Sequence, residues 1–227
     1  MARGDRGKDS LKRSKGAGRR RREVYVFTEG KETEPSYFDI ITDEENCVRK
    51  DPGLQVVLHI QERNRKSHRK PLDLVEKAAR LKREVTREAK RAKLKSAMMP
   101  QVWCVFDHDK YPYLAEAMKQ AKEAGVEVAF SHPCFEVWRL AHYRPVSGMF
   151  SGVCGEAAKR LPFAPGSRDA ENPKVVLPHQ VLKRFQKAKD NAEQMNAQHG
   201  PHVARIDRDP YTDMHVFVEE ALGISSY

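Results

Sequence analysis

The chain has 227 residues, 39% of them hydrophobic, enough for one α/β core of ordinary size. No apolar run approaches the roughly 20 residues that span a bilayer, and the N-terminal stretch lacks the apolar centre of a secretory signal, so a cytoplasmic protein with no membrane partner is expected. The net charge of +10 is unevenly spread along the chain.

Residues 1–22 hold ten Lys/Arg against two Asp, and residues 63–95 hold fourteen Lys/Arg against four acids, while residues 23–62 sum to −7. Two basic segments therefore flank an acidic one. Lys and Arg neutralise phosphates and carboxylates hold cations, so a polyanion-binding protein with an acidic metal site has this layout. A solvated tail beside a charged helix face has the same counts. The four cysteines, Cys47, Cys104, Cys134 and Cys154, are widely spaced and form no C-x-x-C pair. A reduced chain with neither a disulfide framework nor a zinc ribbon is expected.

In chain order, residues 1–22 have almost no apolar content and are expected to form a disordered basic tail. Order is expected from Val24, where Val24-Tyr25-Val26-Phe27 reads as a buried strand ending at Thr28-Glu29-Gly30. Pro35 suits the first turn of a helix running to about Val48. Leu54 to Ile60 reads as a second strand, followed by a basic loop with Arg63, Arg65, Lys66, Arg69 and Lys70. Leu74, Ala78, Leu81, Val85, Ala89 and Ala92 then recur every three or four residues, the apolar stripe of a long helix whose other faces are basic. Gln101 to Phe106 is a third strand running into Asp107-His108-Asp109. A helix over Tyr113–Ala124 stops at Gly125, and Val126–Phe130 is a fourth strand. Phe135–Tyr143 reads as helical, 144–177 as a long loop, and 178–198 and 212–222 as two further helices.

The β-α-β-α-β-α-β alternation predicts a parallel, doubly wound sheet, whose ligands bind at the carboxyl ends of the strands. Glu29 ends the first strand and Asp107 the third. Asp109 lies two residues further, facing the same way if the segment stays extended. Three converging carboxylates repel unless protonated or neutralised, and Mg2+ (or Mn2+) is the natural neutraliser, a hard ion that takes oxygen ligands and substrate phosphates. D-x-D after a strand is also a common turn and capping pattern, so the case rests on the joint placement at two strand ends. His108, between the two aspartates, is expected to point away from them.

Val26-Phe27-Thr28-Glu29-Gly30 followed by Val105-Phe106-Asp107-His108-Asp109 resembles the Toprim domain of topoisomerases, bacterial primases and OLD-type nucleases. Glu29-Gly30-Lys31-Glu32-Thr33-Glu34-Pro35-Ser36-Tyr37-Phe38, Ser131-His132-Pro133-Cys134-Phe135-Glu136-Val137-Trp138 with His142, and Asp209-Pro210-Tyr211-Thr212 resemble more specifically the RloB-like proteins, a bacterial family linked to restriction loci and phage defence. His132 stands where that pattern calls for Asn. The resemblance implies an α/β, Toprim-like (Rossmann-like) parallel sheet flanked by helices, with a core over 23–143 and a loop plus C-terminal helical extension over 144–227 packing on it.

It further implies that Glu29, Asp107 and Asp109 hold the metal, with Glu34 a further acid that reaches metal in OLD-type nucleases. On residue type alone, Glu34 equally suits a first-turn acid offsetting the helix dipole. Glu136, an acid in an apolar stretch, reads as a general base or outer ligand, or as a structural partner of an arginine such as Arg139. Lys31, Lys110 and His142, with the basic loop, are candidates for nucleic-acid contact, and Trp138 and Phe135 for core. The expectation is a Mg2+-dependent endonuclease cutting RNA, such as tRNA, or DNA in antiviral defence, beside a partner ATPase and as a homo-oligomer. The rival expectations are a catalytically inactive nucleic-acid-binding or sensor module, and a nucleotidyl transferase.

Overall fold

A computed structural model describes residues 20–63, 69–166, 170–172 and 174–227. The expected disordered tail lies largely outside the described residues, as do Arg65 and Lys66. Strand β1 spans Arg20–Thr28, so three residues assigned to the tail belong to the sheet. Their order comes from partners far along the chain. Arg20 pairs with Asp51 at 2.9 Å, and Arg22 donates to the carbonyl oxygens of Glu220 and Ala221.

Helix α1 (Thr33–Thr42) is followed by the short β2 (Val48–Arg49) and by β3 (Leu54–Ile60), where a longer α1 was expected. Helix α2 (Pro71–Arg91) opens with proline at its first position, where a missing N–H costs nothing. Strand β4 (Gln101–Asp107), α3 (Leu114–Ala124) and β5 (Glu127–His132) complete the alternation. Gly125 caps α3 in the left-handed region at φ 65°, which a glycine reaches without a Cβ clash.

The central sheet has five strands in the order β3-β1-β4-β5-β6, with β1, β3, β4 and β5 mutually parallel. Parallel strands covered on both faces read as continuous apolar runs, and side chains then sort by alternation. Val24, Val26, Trp103, Val105 and Ala129 enter the core shared with α1 and the C-terminal elements. Tyr25, Phe27, Val102, Cys104, Phe106 and Phe130 enter the core shared with α2 and α3. The result is an α/β fold with helices on both faces of a mostly parallel sheet.

Beyond β5 lie α4 (Glu136–Ala141), α5 (Cys154–Lys159), α6 (Pro178–Val181) and α7 (Phe185–Asn196). The segment expected as one loop over 144–177 thus contains a helix, and the helix expected over 178–198 is split at Leu182–Arg184. The helix expected from residue 212 begins later. Strand β6 (Tyr211–Thr212) instead joins the sheet antiparallel to β5. Thr212 is held there by the Ser131 hydroxyl at 3.0 Å and by both ends of the Asn196 amide. Helix α8 (Met214–Val216) continues into a π-helical turn over 217–221, and β7 (Ile224–Ser226) pairs antiparallel with β2. The C-terminal extension therefore packs on the core and also supplies strands to both sheets.

One expectation about the cysteines is overturned. Cys134 and Cys154 are joined by a disulfide with their Cα atoms 5.4 Å apart, while Cys47 and Cys104 are free. Twenty residues separate the pair, and the turn of the chain at the end of β5 brings them together. Sequence spacing alone does not reveal such proximity.

Candidate functional site

From β1 the chain crosses through α1 to β3, then returns through α2 to β4 on the other side of β1. The winding reverses between β1 and β4, and the crevice at the carboxyl ends of those two strands is the usual ligand position in such sheets. Glu29 follows β1 directly, and Asp107 is the last residue of β4.

Glu29 is held by the strands themselves. Its N–H donates to the Val105 carbonyl at 2.9 Å, and its Oε2 accepts the Asp107 N–H at 3.3 Å. Burial pushes its carboxyl up to about 7, opposed by the Asp107 N–H and the Lys70 ammonium and reinforced by the charges of Asp109 and Glu34. Glu34, in the first turn of α1, is buried and turns back to accept the Gly30 N–H at 2.9 Å. Burial raises its pKa, the nearby Glu136 adds to the rise, and Arg69 opposes it. A Cβ on Gly30 would stand 1.8 Å from Glu34 Oε2, so this carboxylate occupies space that only a glycine leaves open.

Asp107 is pushed well above the usual carboxylate range by burial and by the charges of Glu34, Glu136 and Glu29, with the Phe135 N–H opposing. Glu136 begins α4, and its pKa is raised by burial, with its own backbone N–H and the Arg139 guanidinium opposing. Its Oε1 lies 3.9 Å from Arg139 Nη1, so the structural pairing and the place beside Asp107 coexist. Four acids, one from the turn after β1 and the others from α1, β4 and α4, thus meet at one sheet edge, and their charged forms are disfavoured by burial and, for Glu29, Glu34 and Asp107, by the charges of neighbouring acids.

Asp109 departs from its expected place. The strand ends at Asp107, and Asp109 and Lys110 both take left-handed backbone conformations, at φ 34° and 50°. Asp109 therefore does not follow Asp107 into the crevice. Its side chain is 64% exposed and meets Lys70 at 4.0 Å, while Lys70 also approaches Glu29 Oε1 at 3.9 Å. Two successive non-glycine residues in this region are strained, a feature that clusters at functional sites.

The residues fit a hard divalent cation by donor chemistry: carboxylate oxygens only, with a charge surplus that a cation relieves. Among the described residues these oxygens are not drawn together to ligating spacing. The set whose donor atoms lie within 4.8 Å of one another is Cys134, Glu136 and Cys154, at the edge of the same site.

The expected nucleic-acid contacts divide. Lys31, Lys70 and Lys110 are exposed around the acids. Arg63 is exposed but paired in two-pronged fashion with Asp39, Nη1 to Oδ1 at 3.0 Å. Arg69 is not a surface ligand. It is buried and donates to Thr28 Oγ1, to the Gly30 and Glu29 carbonyls and to the Glu62 carbonyl at 2.8–3.0 Å, clamping the turn that carries Glu29. His142 is also corrected. It is fully buried, with Nδ1 2.9 Å from the Trp138 carbonyl and Nε2 2.9 Å from the Tyr227 hydroxyl, and burial lowers its pKa to about 4. A histidine so enclosed cannot reach a phosphate. Trp138 and Phe135 are core, as expected.

His108 turns away from the acids and stacks on His132, ring centroids 3.9 Å apart. His132 in turn lies 3.9 Å from Asp209, whose carboxylate accepts the N–H groups of Phe150 and Gly152. His132 therefore ties the D-x-D turn to the loop over 144–153. On α2, Arg80, Arg83, Arg87, Lys90 and Arg91 are exposed along one side at spacings of three and four, and Lys82, Arg83, Arg87 and Lys90 line an open groove beside Ala124 of α3. The Arg69 clamp and the sulfur pair escaped the sequence reading. Adjacent arginines look alike until burial separates them.

No curated protein and no solved structure matches the chain. A family model described as RloB-like protein matches residues 24–221, from β1 into the π-helical turn after α8. That match takes in every acid of the site and nearly the whole described fold, and the chain belongs to the RloB-like protein family.

Proposed function

We propose that the chain is a divalent-cation-dependent phosphodiesterase acting on a polynucleotide, with a Toprim-like site. The observation that carries this reading is the meeting of Glu29, Glu34, Asp107 and Glu136 at the β1/β4 switch crevice, with all four pKa values raised. Groups held away from their preferred charge state in a crevice mark functional sites more often than structural ones. Glu29, Asp107 and Glu34 are the residues that would hold Mg2+ or Mn2+, with Asp109 at the rim beside Lys70. A cation held by these carboxylates would supply polarisation of a scissile phosphate and offset the charge that builds on it.

The chain's own groups supply the rest. Lys31, Lys70 and Lys110 receive phosphate oxygens around the crevice. Glu136, whose carboxyl pKa burial raises, stands among the acids beside Asp107 and is suited to relay a proton to or from the reacting oxygens. The stripe on α2 runs about 16 Å from Arg80 to Arg91 and starts about 15 Å along the helix from Lys70 at the acidic rim, a spacing fitted to a phosphate backbone rather than to a mononucleotide. A cytoplasmic role in antiviral defence, a tRNA or other RNA target, DNA as the alternative substrate, a partner ATPase and homo-oligomerisation are carried by the family resemblance alone.

The test is Asp107→Asn in the full chain, assayed with Mg2+ on labelled RNA and DNA. New 5′ or 3′ ends are expected from the wild type and at least a 100-fold lower rate from the variant. Equal rates would exclude hydrolysis at this site. Polynucleotide retention without cleavage by either protein favours the inactive binding module, and incorporation of labelled nucleotides favours transfer chemistry.

A further inference from the structure

The sulfur pair at the edge of the acidic crevice takes no part in the chemistry above, and its position is specific. Cys134 lies in the turn between β5 and α4, buried, with acid-site contacts on both sides. The Pro133 carbonyl accepts the Asp109 N–H at 3.4 Å, and the Phe135 N–H faces the Asp107 carboxylate. Cys154 is the first residue of α5, partly exposed, at the end of the 144–153 loop. Its Sγ lies 3.3 Å from Glu136 Oε2. One covalent bond thus fastens the loop and α5 to the turn that borders Asp107 and Asp109.

We propose that Cys134–Cys154 is a reversible dithiol/disulfide site whose oxidation state sets the hydrogen bonding of Glu136 at the acidic centre. This rests on reading that centre as a cation site. A disulfide sulfur carries no proton, so in the oxidised chain Glu136 receives no hydrogen bond from Cys154 and faces the acids. A thiol does carry one, so in the reduced chain Cys154 donates to the Glu136 oxygen that already lies 3.3 Å away, engages that carboxylate in a hydrogen bond, and frees the 144–153 loop from its tether. Reduction balances as an exchange with a dithiol. A thiolate attacks the reachable Cys154 sulfur, the S–S bond breaks, and Cys134 leaves as a thiolate and takes a proton. The second thiol of the reductant then displaces Cys154, which is also protonated, and the reductant ends as a cyclic disulfide. The remaining cysteines do not compete, because Cys104 is fully buried and Cys47 lies elsewhere on the fold.

The experiment uses the full chain equilibrated in oxidised glutathione or in dithiothreitol. Of the four cysteines, two are expected to react with a thiol reagent in denaturant after oxidation and four after reduction, with a Cys134–Cys154 peptide recovered only from the oxidised sample. Mn2+ affinity, read by electron paramagnetic resonance, is expected to be about tenfold weaker in the reduced protein, the scale of losing a group that orients a metal ligand. Cys134→Ser/Cys154→Ser is expected to match the reduced protein and to ignore dithiothreitol. If that variant does not fold, the wild type in its two redox states decides the matter. Failure to recover the bridged peptide, or equal Mn2+ affinity in both states, overturns the proposal. Mn2+ binding to neither state removes the cation site instead. Proteolysis within 144–153 then judges the redox site: faster cleavage after reduction supports it, and equal rates overturn it.

Discussion

Glu34 and Gly30 are one device. The carboxylate folds back onto the N–H of a residue that cannot tolerate a side chain, and this keeps a buried acid among other acids. Gly30→Ala is therefore expected to expel the Glu34 carboxylate and to weaken Mn2+ binding at least tenfold, read by titration calorimetry, while circular dichroism stays native. Unchanged Mn2+ affinity would remove Glu34 from the ligand set. Asp107 has the opposite balance of stability and function. Its charge is opposed by burial and by three other carboxylates, so Asp107→Asn is expected to leave the metal-free protein at pH 8 as stable as the wild type or up to about 1 kcal/mol more stable, by urea titration. A marked loss of stability would mean that the aspartate is structural. At this scale the acids Glu29 and Asp107 were legible, because a strand-end carboxylate declares itself in sequence. Asp109 was named, but its outward turn was not foreseen, since a left-handed pair after a strand leaves no mark on residue type.

Among the elements, α2 links the proposed backbone grip to the proposed site. Its first residues follow Lys70 at the acidic rim, its apolar stripe packs under the sheet, and its outer side carries a run of cations without ion pairs among the described residues. Arg83→Ala/Arg87→Ala is expected to leave stability within about 0.5 kcal/mol, because both side chains are exposed. The same change is expected to reduce the slope of log affinity against log salt for a polynucleotide by about 2. That is checked by fluorescence anisotropy at several salt concentrations, and an unchanged slope would place the phosphate path elsewhere. The helix and its stripe were readable from periodicity. The different fates of Arg63, Arg69 and Lys70 were not, since a local sequence window does not show that one arginine closes over the end of β1 while its neighbours meet solvent.

Across the whole molecule, the acid cluster couples stability to pH and, on the proposed reading, to cations. Carboxyls whose folded pKa lies above the unfolded value bind more protons when folded, so their contribution is full below about 4.5 and is lost as pH rises. For Glu29 that loss runs up through about 7, and Glu34, Asp107 and Glu136 shift in the same direction. The metal-free protein is therefore expected to melt at lower temperature at pH 8 than at pH 5.5. Mg2+ is expected to raise the melting temperature more at pH 8, where the acids are ionised and ready to bind it. Scanning calorimetry at both pH values checks this, and a larger Mg2+ effect at pH 5.5 would contradict it.

The amino-acid sequence by itself determined the α/β alternation, the central strands, the long basic helix and the acids at two strand ends. Periodicity and strand-end chemistry are local properties, readable over a few residues. Only the tertiary structure decided the rest. It brought Glu34 and Glu136 to Asp107, joined Cys134 to Cys154, added β6 to the sheet and enclosed His142 against Tyr227. Each of these depends on contacts between residues far apart in the chain, or on burial that the whole fold must create, and no local pattern encodes either.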